Sequence, residues 1–307
     1  MKPRVQWIDV AKGIAMLGII AGHLAIPLLL RAFIYSVSIP LFFVSCGYER
    51  AERADLLEVK NNSWRILFGW GITMLCSFGY SFAGKREIRP VEMLGDIGPL
   101  WIVLALSVVP CVYELICATM RRVSVFFVIL PVGALAVAGV LLGYKKIYLP
   151  FGADIMPVAL LFVCFGDMLR RMEDKVWKNK VVGGLLLFAV WVVFVYFGRW
   201  MELPIRAYRG NVFCFVSSCA GCVCILYATM LPKQWKSAKA LLSWCGERSV
   251  LFLCVMGFMQ FNVPWTDLYA YIPVTWAEDA LVRVCITVFI VFCIDVWKEK
   301  LIALNCA

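Results

Sequence analysis

The stretch from Trp7 to His23 reads WIDVAKGIAMLGIIAGH, an apolar run that three ionisable side chains interrupt. Asp9, Lys12 and His23 share one stripe when successive residues turn by about 100° around a helix axis. Because a helix rises about 1.5 Å per residue, Asp9 and His23 lie about 21 Å apart along the axis and cannot hydrogen-bond directly. An ionisable residue in a membrane span is unfavourable and usually faces the bundle interior, so the stripe predicts a functional helix.

Apolar runs of this kind recur along the whole chain of 307 residues. Hydrophobic residues make up 63% and charged residues 16%, whereas soluble domains have about 45–50% and about 25%. The composition excludes an ordinary cytosolic enzyme, a disordered regulator and a secreted disulfide scaffold. It predicts an all-α fold, a polytopic transmembrane bundle of about ten helices forming a single domain over residues 1–307. The expected spans are roughly 6–24, 27–48, 63–83, 97–119, 124–143, 151–171, 181–199, 211–231, 246–263 and 281–302.

The distribution of lysine and arginine predicts the topology. With the N-terminus inside and alternating spans, 19 of the 30 basic residues fall on the inner side, 8 on the outer side and 3 within spans. This bias favours cytoplasmic N- and C-termini in a multi-pass protein of the bacterial inner membrane. Because the basic residues sit in short clusters between apolar runs, the net charge of +10 does not indicate a nucleic-acid partner.

The fourteen cysteines and the single histidine narrow the chemistry. Most cysteines lie within apolar segments, where cysteine packs as a small hydrophobe, and we interpret the CxxC of Cys219 and Cys222 in the same way. One histidine excludes a His-rich metal centre, so no metal site is predicted. Histidine is the most frequent general base near neutral pH, which makes His23 the leading catalytic candidate. The alternative is a histidine that hydrogen-bonds to a neighbouring helix for packing alone.

Six segments rich in Gly, aromatic and Leu residues carry a family pattern. They are Asp9–Ala15 followed by Gly22-His23, Ile39–Tyr48, Trp64–Leu67, Gly98–Leu106, Phe162–Leu169 and Cys245–Val250. In their order and spacing, over nearly the whole chain, they resemble the integral-membrane acyltransferase family 3, particularly its fucose 4-O-acetylase-like members. Three positions depart from the pattern: Cys46 replaces a serine before Gly47, Asn62 replaces a basic residue, and the ninth span lacks a second histidine.

The resemblance implies an acyltransferase that moves an acyl group, usually acetyl, from cytosolic acyl-CoA to a sugar hydroxyl of a cell-surface or lipid-linked glycan. Acetyl-CoA would be a co-substrate, no cofactor would be tightly bound, and membrane lipids would surround the chain. His23 would act as the general base or through an acyl-histidine intermediate. Asp9 is the second catalytic candidate, and we expect it to pair with Lys12 or Arg65 rather than with His23.

Further candidates are basic or span-edge residues. Cations at the inner ends of the spans suit the phosphates of an acyl-CoA, although the positive-inside rule also accounts for them: Lys12, Arg50, Arg53, Lys60 and Arg65. Candidates for the acceptor site are a cation near the outer end, an aromatic ring that could stack on a sugar, and a span-edge acid: Arg31, Trp101 and Asp154. Additional span-edge charges are Glu114, Asp167 and Arg283.

Two other functions fit the same composition. Intramembrane charges serve ion relays as readily as catalysis, so a multi-pass transporter or flippase is one alternative. The other is a non-catalytic membrane subunit derived from the same fold, which Asn62 and the missing second histidine favour. A transporter would be expected to show paired broken helices in two related halves, and the sequence has no visible internal repeat.

Overall fold

The computed structural model describes residues 6–24, 26–53, 56–83, 98–120, 126–172, 180–230, 236–265 and 274–305. Within these ranges the chain forms eleven α-helices, two turns of 3-10 helix at Gly98–Leu100 and Pro150–Gly152, and one two-stranded hairpin. The helices are α1 Gln6–Gly22, α2 Leu28–Arg53, α3 Leu56–Ala83, α4 Trp101–Met120, α5 Phe126–Tyr144, α6 Met156–Arg171, α7 Lys180–Tyr196, α8 Val212–Met230, α9 Lys236–Glu247, α10 Ser249–Asn262 and α11 Trp276–Asn305. The hairpin pairs β1, Met201–Glu202, with β2, Ala207–Tyr208, in antiparallel register.

The predicted all-α class is confirmed. By length and composition, six helical segments within the described residues are long and apolar enough to cross a membrane, and a bent pair raises the number to seven. The six are Leu28–Arg50, Trp101–Met120, Phe127–Tyr144, Pro150–Arg171, Val212–Met230 and Trp276–Lys298. The bent pair is α9 with α10, which meet at 72°. Several apolar helices in one chain are typical of a multi-pass membrane protein.

Each of the ten expected spans overlaps a helix, but the ten-span bundle is not confirmed, since α1, α3 and α7 are not among the described helices that are long and apolar enough to cross a membrane. The structure also contains α9, which the sequence does not predict. The expected spans leave residues 232–245 between the eighth and ninth spans, where Lys236 and Lys239 interrupt the hydrophobic pattern. In the structure residues 236–247 are helical and pack against α1, with Ser243, Cys245 and Gly246 buried. An amphipathic helix that buries one face carries its charges on the other, and a search for continuous apolar runs overlooks it.

Glycines make the contact between α1 and α9 possible. A Cβ atom at Gly246 would lie 1.8 Å from the carbonyl oxygen of Asp9, and one at Gly13 would lie 2.1 Å from the carbonyl oxygen of Leu242. Neither space admits a methyl group, so the two backbones touch directly. Small residues at helix crossings allow such close approach.

The same device joins α2 to α6. A Cβ atom at Gly47 would lie 1.9 Å from the carbonyl oxygen of Val163, and one at Gly166 would lie 2.0 Å from that of Val44. Both glycines lie in the Gly-rich segments quoted above. In this chain they allow direct backbone contact between the two helices.

The sixth expected span, 151–171, is interrupted at its start. The chain makes a 3-10 turn at Pro150–Gly152 before α6 begins at Met156. Pro157 stands in the first turn of α6, where its missing N–H group would have had no partner in the helix. The turn places Gly152 at φ +70°, and the Trp101 side chain packs 3.3 Å from the position a Cβ there would occupy.

Contacts distinguish the two ends of the bundle. Near the start of α1, the Lys12 ammonium binds Glu49 in the last part of α2. At the opposite end, Arg31 in the first turn of α2 binds Glu202 of the hairpin. We call these the Lys12 end and the His23 end, since His23 follows the last residue of α1.

Candidate functional site

His23 lies just beyond the C-terminus of α1, and its ring is held by the helix itself. The Nδ1 atom is 2.7 Å from the carbonyl oxygen of Ile19. A carbonyl oxygen only accepts hydrogen bonds, so Nδ1 must carry the hydrogen in this bond. In a neutral imidazole the other nitrogen, Nε2, then has a free lone pair and can accept a proton.

The ring lines a cleft between the end of α1, the second half of α10 and the start of α11. The cleft is shallow: its space amounts to about 270 Å³ only when its open mouth is included, and its enclosed part has room for about one water molecule. Its walls combine apolar and polar side chains from these elements and the residues that follow α10: Ile20, His23, Met256, Met259, Gln260, Trp265, Arg283 and Thr287. Apolar walls with a few convergent polar groups are typical of binding sites, although this cleft is much smaller than the pockets that enclose a ligand.

Arg283 also lines the cleft, where its side chain is held in place by other residues. Its Nε atom donates to Asp279 Oδ1 at 2.7 Å and one terminal nitrogen donates to Gln260 Oε1 at 3.3 Å. The guanidinium also lies over the ring of Trp265, 4.4 Å from the ring centroid. These contacts hold the guanidinium beside the cleft with Asp279 as its counterion, so that only its remaining N–H groups could stabilise negative charge on a reacting group.

The Lys12 end has a different character because its charges are buried in pairs. Arg50 donates to Glu114 and lies 3.2 Å from Asp167, and both carboxylates are almost completely buried. Tyr113 donates to Asp167 at 2.9 Å, and its ring lies under the Arg50 guanidinium. Arg171 also reaches Asp167, at 3.2 Å. The Arg50 guanidinium is thus already occupied by two carboxylates of the protein.

Lys12 is also paired, at 2.6 Å from Glu49. Asp9 is buried one helical turn before it, close enough to act electrostatically on the Lys12 ammonium. Two other candidates for the donor site, Lys60 and Arg65, are exposed on α3. The side chain of the remaining donor candidate, Arg53, lies outside the described part of the structure.

The three candidates for the acceptor site are placed differently from one another. Arg31 is 39% exposed and ion-paired with the buried Glu202 of the hairpin. Trp101 is buried in the core. Asp154 is completely buried and accepts two hydrogen bonds from Arg206, at 2.8 and 3.1 Å, so it fastens the loop before α6 to the hairpin turn.

The structure therefore brings His23 together with Arg283 and separates it from Asp9 and Lys12. Along α1 the distance from Lys12 to His23 is about 16 Å. From the sequence, Arg283 is only a span-edge charge, and Gln260 is not among the predicted site residues. A polar residue within the apolar run of the ninth expected span was the signal for Gln260.

Comparison with known proteins gives no further information about this site. No protein-family model, curated protein or solved structure matches the chain. Among the residues that the structure describes, no three His, Cys, Asp or Glu side chains come together as a metal site would require. The functional argument therefore depends on the arrangement of the chain's own residues.

Proposed function

We propose that the chain is a multi-pass membrane O-acyltransferase that transfers an acyl group, acetyl in the simplest case, from acyl-CoA to a sugar hydroxyl of a cell-surface or lipid-linked glycan. His23 is the general base. The observation that supports this most directly is the hydrogen bond from Nδ1 to Ile19 at 2.7 Å. It fixes the tautomer that leaves Nε2 as the proton acceptor of a ring that lines a cleft.

The proposed topology has ten membrane crossings, with α9 on the inner side and both termini in the cytoplasm of a bacterial cell. Contacts are consistent with alternating directions: α2 runs from Arg31 at the His23 end to Arg50 at the Lys12 end, and α11 runs from Arg283 beside His23 towards Asp295, which binds Arg248. The Lys12 end is then cytoplasmic, as the excess of basic residues favours.

In this topology the donor binds from the Lys12 end. The exposed Lys60 and Arg65 are the better placed cations for the phosphates of acyl-CoA, because Arg50 is occupied by buried carboxylates. The thioester must then extend along α1 for about 16 Å to reach His23. Asp9 acts on Lys12 in this scheme and takes no proton from the acceptor.

In the proposed reaction, His23 carries one proton from the sugar hydroxyl to the leaving CoA sulfur. Nε2 removes the proton of the sugar hydroxyl while the oxygen attacks the thioester carbonyl, forming the C–O bond. The negative charge that develops on the carbonyl oxygen is stabilised by the Arg283 guanidinium. The C–S bond then breaks, and the imidazolium returns the proton to the CoA sulfur. Acyl transfer first to Nε2 and then to the sugar uses the same geometry.

A matched pair of substitutions tests the role of His23. The side-chain NH₂ of Asn can replace Nδ1 as donor to Ile19, whereas Gln places an amide near the position of Nε2, and neither has a basic nitrogen. We expect His23→Asn and His23→Gln to reduce acetyl transfer by about 10²–10⁴-fold in detergent-solubilised protein. His23→Asn should retain the thermal stability of the parent. Unchanged turnover in His23→Asn would remove the imidazole from the mechanism.

A transporter is the second candidate, and the 72° bend between α9 and α10 supports it. Broken helices form the substrate sites of many secondary transporters. Proteoliposomes without CoA distinguish the functions: uptake of a labelled sugar would favour transport, whereas acetyl transfer without uptake would favour the enzyme. If the parent chain shows neither activity, the non-catalytic subunit becomes the better interpretation.

A further inference from the structure

A cluster of positive charge surrounds the hairpin at the His23 end. Four exposed cations form this hairpin surface: Lys145, Lys146, Arg199 and Arg209. Segments 143–155 and 197–213, which supply them, contain only two acidic residues. Asp154 is bound by Arg206 and Glu202 by Arg31. Both carboxylates are therefore used in buried ion pairs, and neither segment offers another to neutralise the four cations.

Hydrogen bonds fasten the Lys145 loop to the hairpin. The Tyr144 hydroxyl lies 3.0 Å from the Tyr208 carbonyl oxygen and 2.7 Å from Asn211 Oδ1, and can donate to either. Burial raises the pKa of the Tyr208 phenol, which stays neutral. The bidentate bond from Arg206 to Asp154 makes a second connection.

Packing also fixes the two arginines of the hairpin surface. The Arg209 guanidinium lies 4.6 Å from the ring centroid of Trp200. The Arg199 side chain crosses Gly210 so closely that a Cβ there would lie 2.2 Å from Arg199 Cδ. The cations are therefore presented by a folded surface and not by independent tails.

The position of this surface selects the kind of partner. It lies where the apolar helices α5 and α7 end, beside the exposed rings of Tyr148, Tyr196 and Phe197, which are 58%, 73% and 69% exposed. Aromatic rings and cations at the ends of apolar helices are characteristic of the membrane–water interface. An anion held there is most simply the headgroup of a lipid whose chains lie along the same helices.

We propose that the hairpin surface binds the phosphate group of an anionic membrane lipid. Lysine supplies point charges and arginine a fork of donors for the phosphate oxygens. In the orientation proposed above, these cations lie on the outer side, where the positive-inside rule disfavours them, and lipid binding explains their presence there. The inference does not depend on acyl transfer, so its failure would leave the proposed function untouched.

The test measures lipid binding to the full chain in a neutral detergent. Short-chain phosphatidylglycerol is the probe, and phosphatidylcholine, inorganic phosphate and soluble polyphosphate are the comparisons. We expect phosphatidylglycerol to bind more tightly than the other three. Lys145→Gln/Lys146→Gln and, separately, Arg199→Gln/Arg209→Gln should each weaken its binding by about 10–30-fold, given the usual contribution of a basic residue near an anionic lipid.

Lys298→Gln/Lys300→Gln is the matched control, because both lysines are exposed on α11 at the opposite end of the bundle. It should leave phosphatidylglycerol affinity unchanged. An equal loss in the control would show a general charge effect and overturn the proposal. Equal affinity for inorganic phosphate or a preference for polyphosphate would also overturn it, because the site would then recognise a soluble anion. The Lys145/Lys146 pair keeps the test valid if the arginine variant fails to fold.

Discussion

The two ends of the bundle use charge in opposite ways. At the Lys12 end, Arg50 is enclosed with Glu114 and Asp167, and the carboxylates leave its guanidinium little capacity for a ligand. At the His23 end, an imidazole and a guanidinium face an open cleft. The difference teaches that charge within a membrane span is not by itself a sign of chemistry: at the Lys12 end the buried charges satisfy one another, whereas at the His23 end the groups proposed to react border a cleft.

The largest effect on stability should follow from breaking the buried cluster at the Lys12 end. Arg50→Met removes the cation that the buried Glu114 and Asp167 share, which Arg171 at Asp167 compensates only in part, and this should cost about 3–5 kcal/mol in the free energy of unfolding. Unfolding in mixed micelles measures it. Arg65→Met is the matched control on an exposed helix face and should stay within about 0.5 kcal/mol. If the two variants lose equal stability, the Arg50 cluster has no special role in the fold.

The glycine contacts allow a prediction in which two identical substitutions have opposite signs. Gly246→Ala forces a methyl group to within 1.8 Å of the Asp9 carbonyl oxygen, and relieving that overlap should cost about 1–3 kcal/mol. Gly133→Ala, also within a helix, has no neighbouring atom within 4 Å of the new Cβ and should stabilise by about 0.5–1 kcal/mol. Thermal unfolding of both variants under one condition measures the two changes in stability. A gain in stability for Gly246→Ala would contradict the direct backbone contact.

A smaller loss is expected from the ion pair that ties the hairpin to α2. Arg31→Gln leaves Glu202 buried, but Arg31 is 39% exposed and water replaces part of the interaction. We expect a loss of about 1 kcal/mol, well below that of Arg50→Met. Arg31→Gln/Glu202→Gln should recover part of the loss, and a double-mutant cycle measures the coupling. Additive losses would show that the two side chains do not interact.

The smallest expected effects are kinetic, and they distinguish donor binding at the Lys12 end from catalysis at the His23 end. Lys60→Gln/Arg65→Gln should leave stability within about 0.5 kcal/mol and raise the KM for acyl-CoA by about 2–5-fold, since exposed ion pairs contribute little. The kcat should stay the same, whereas His23→Asn should lower it. If the double variant lowers kcat and leaves KM unchanged, the cations of α3 do not bind the donor.

Hydropathy predicted where the helices are, because apolar runs of about 20 residues leave few alternatives. Hydropathy did not predict α9, because the charged residues of this helix interrupt the apolar run although one of its faces is buried. The sequence also makes Arg50 a candidate for phosphate binding, with plain topology as the alternative, because the positive-inside pattern does not reveal partners in distant segments. Glu114 follows Arg50 by 64 residues, and only the packing of α2 against α4 and α6 brings the carboxylates to it.

For the candidate site, the sequence identified His23 but not its surroundings. The helical stripe joined it to Asp9 and Lys12, which face the same way but lie at the other end of α1. Arg283 and Gln260 come from helices more than 200 residues away, and no periodicity within one helix connects them to His23. The spacing of residues in a helix predicts which side of the helix they face. A site also requires that its residues lie at the same depth in the bundle.

The position of Arg50 also constrains how the chain enters a bilayer during synthesis. When α2 leaves the ribosome, neither Glu114 nor Asp167 has been synthesised, so the Arg50 guanidinium lacks these two counterions at that stage. Arg50 stands in the last turns of α2, where a long side chain can reach the headgroup layer and remain hydrated. The helix can therefore insert into the bilayer before its partners do. The Arg50 side chain is buried only once α4 and α6 pack against α2.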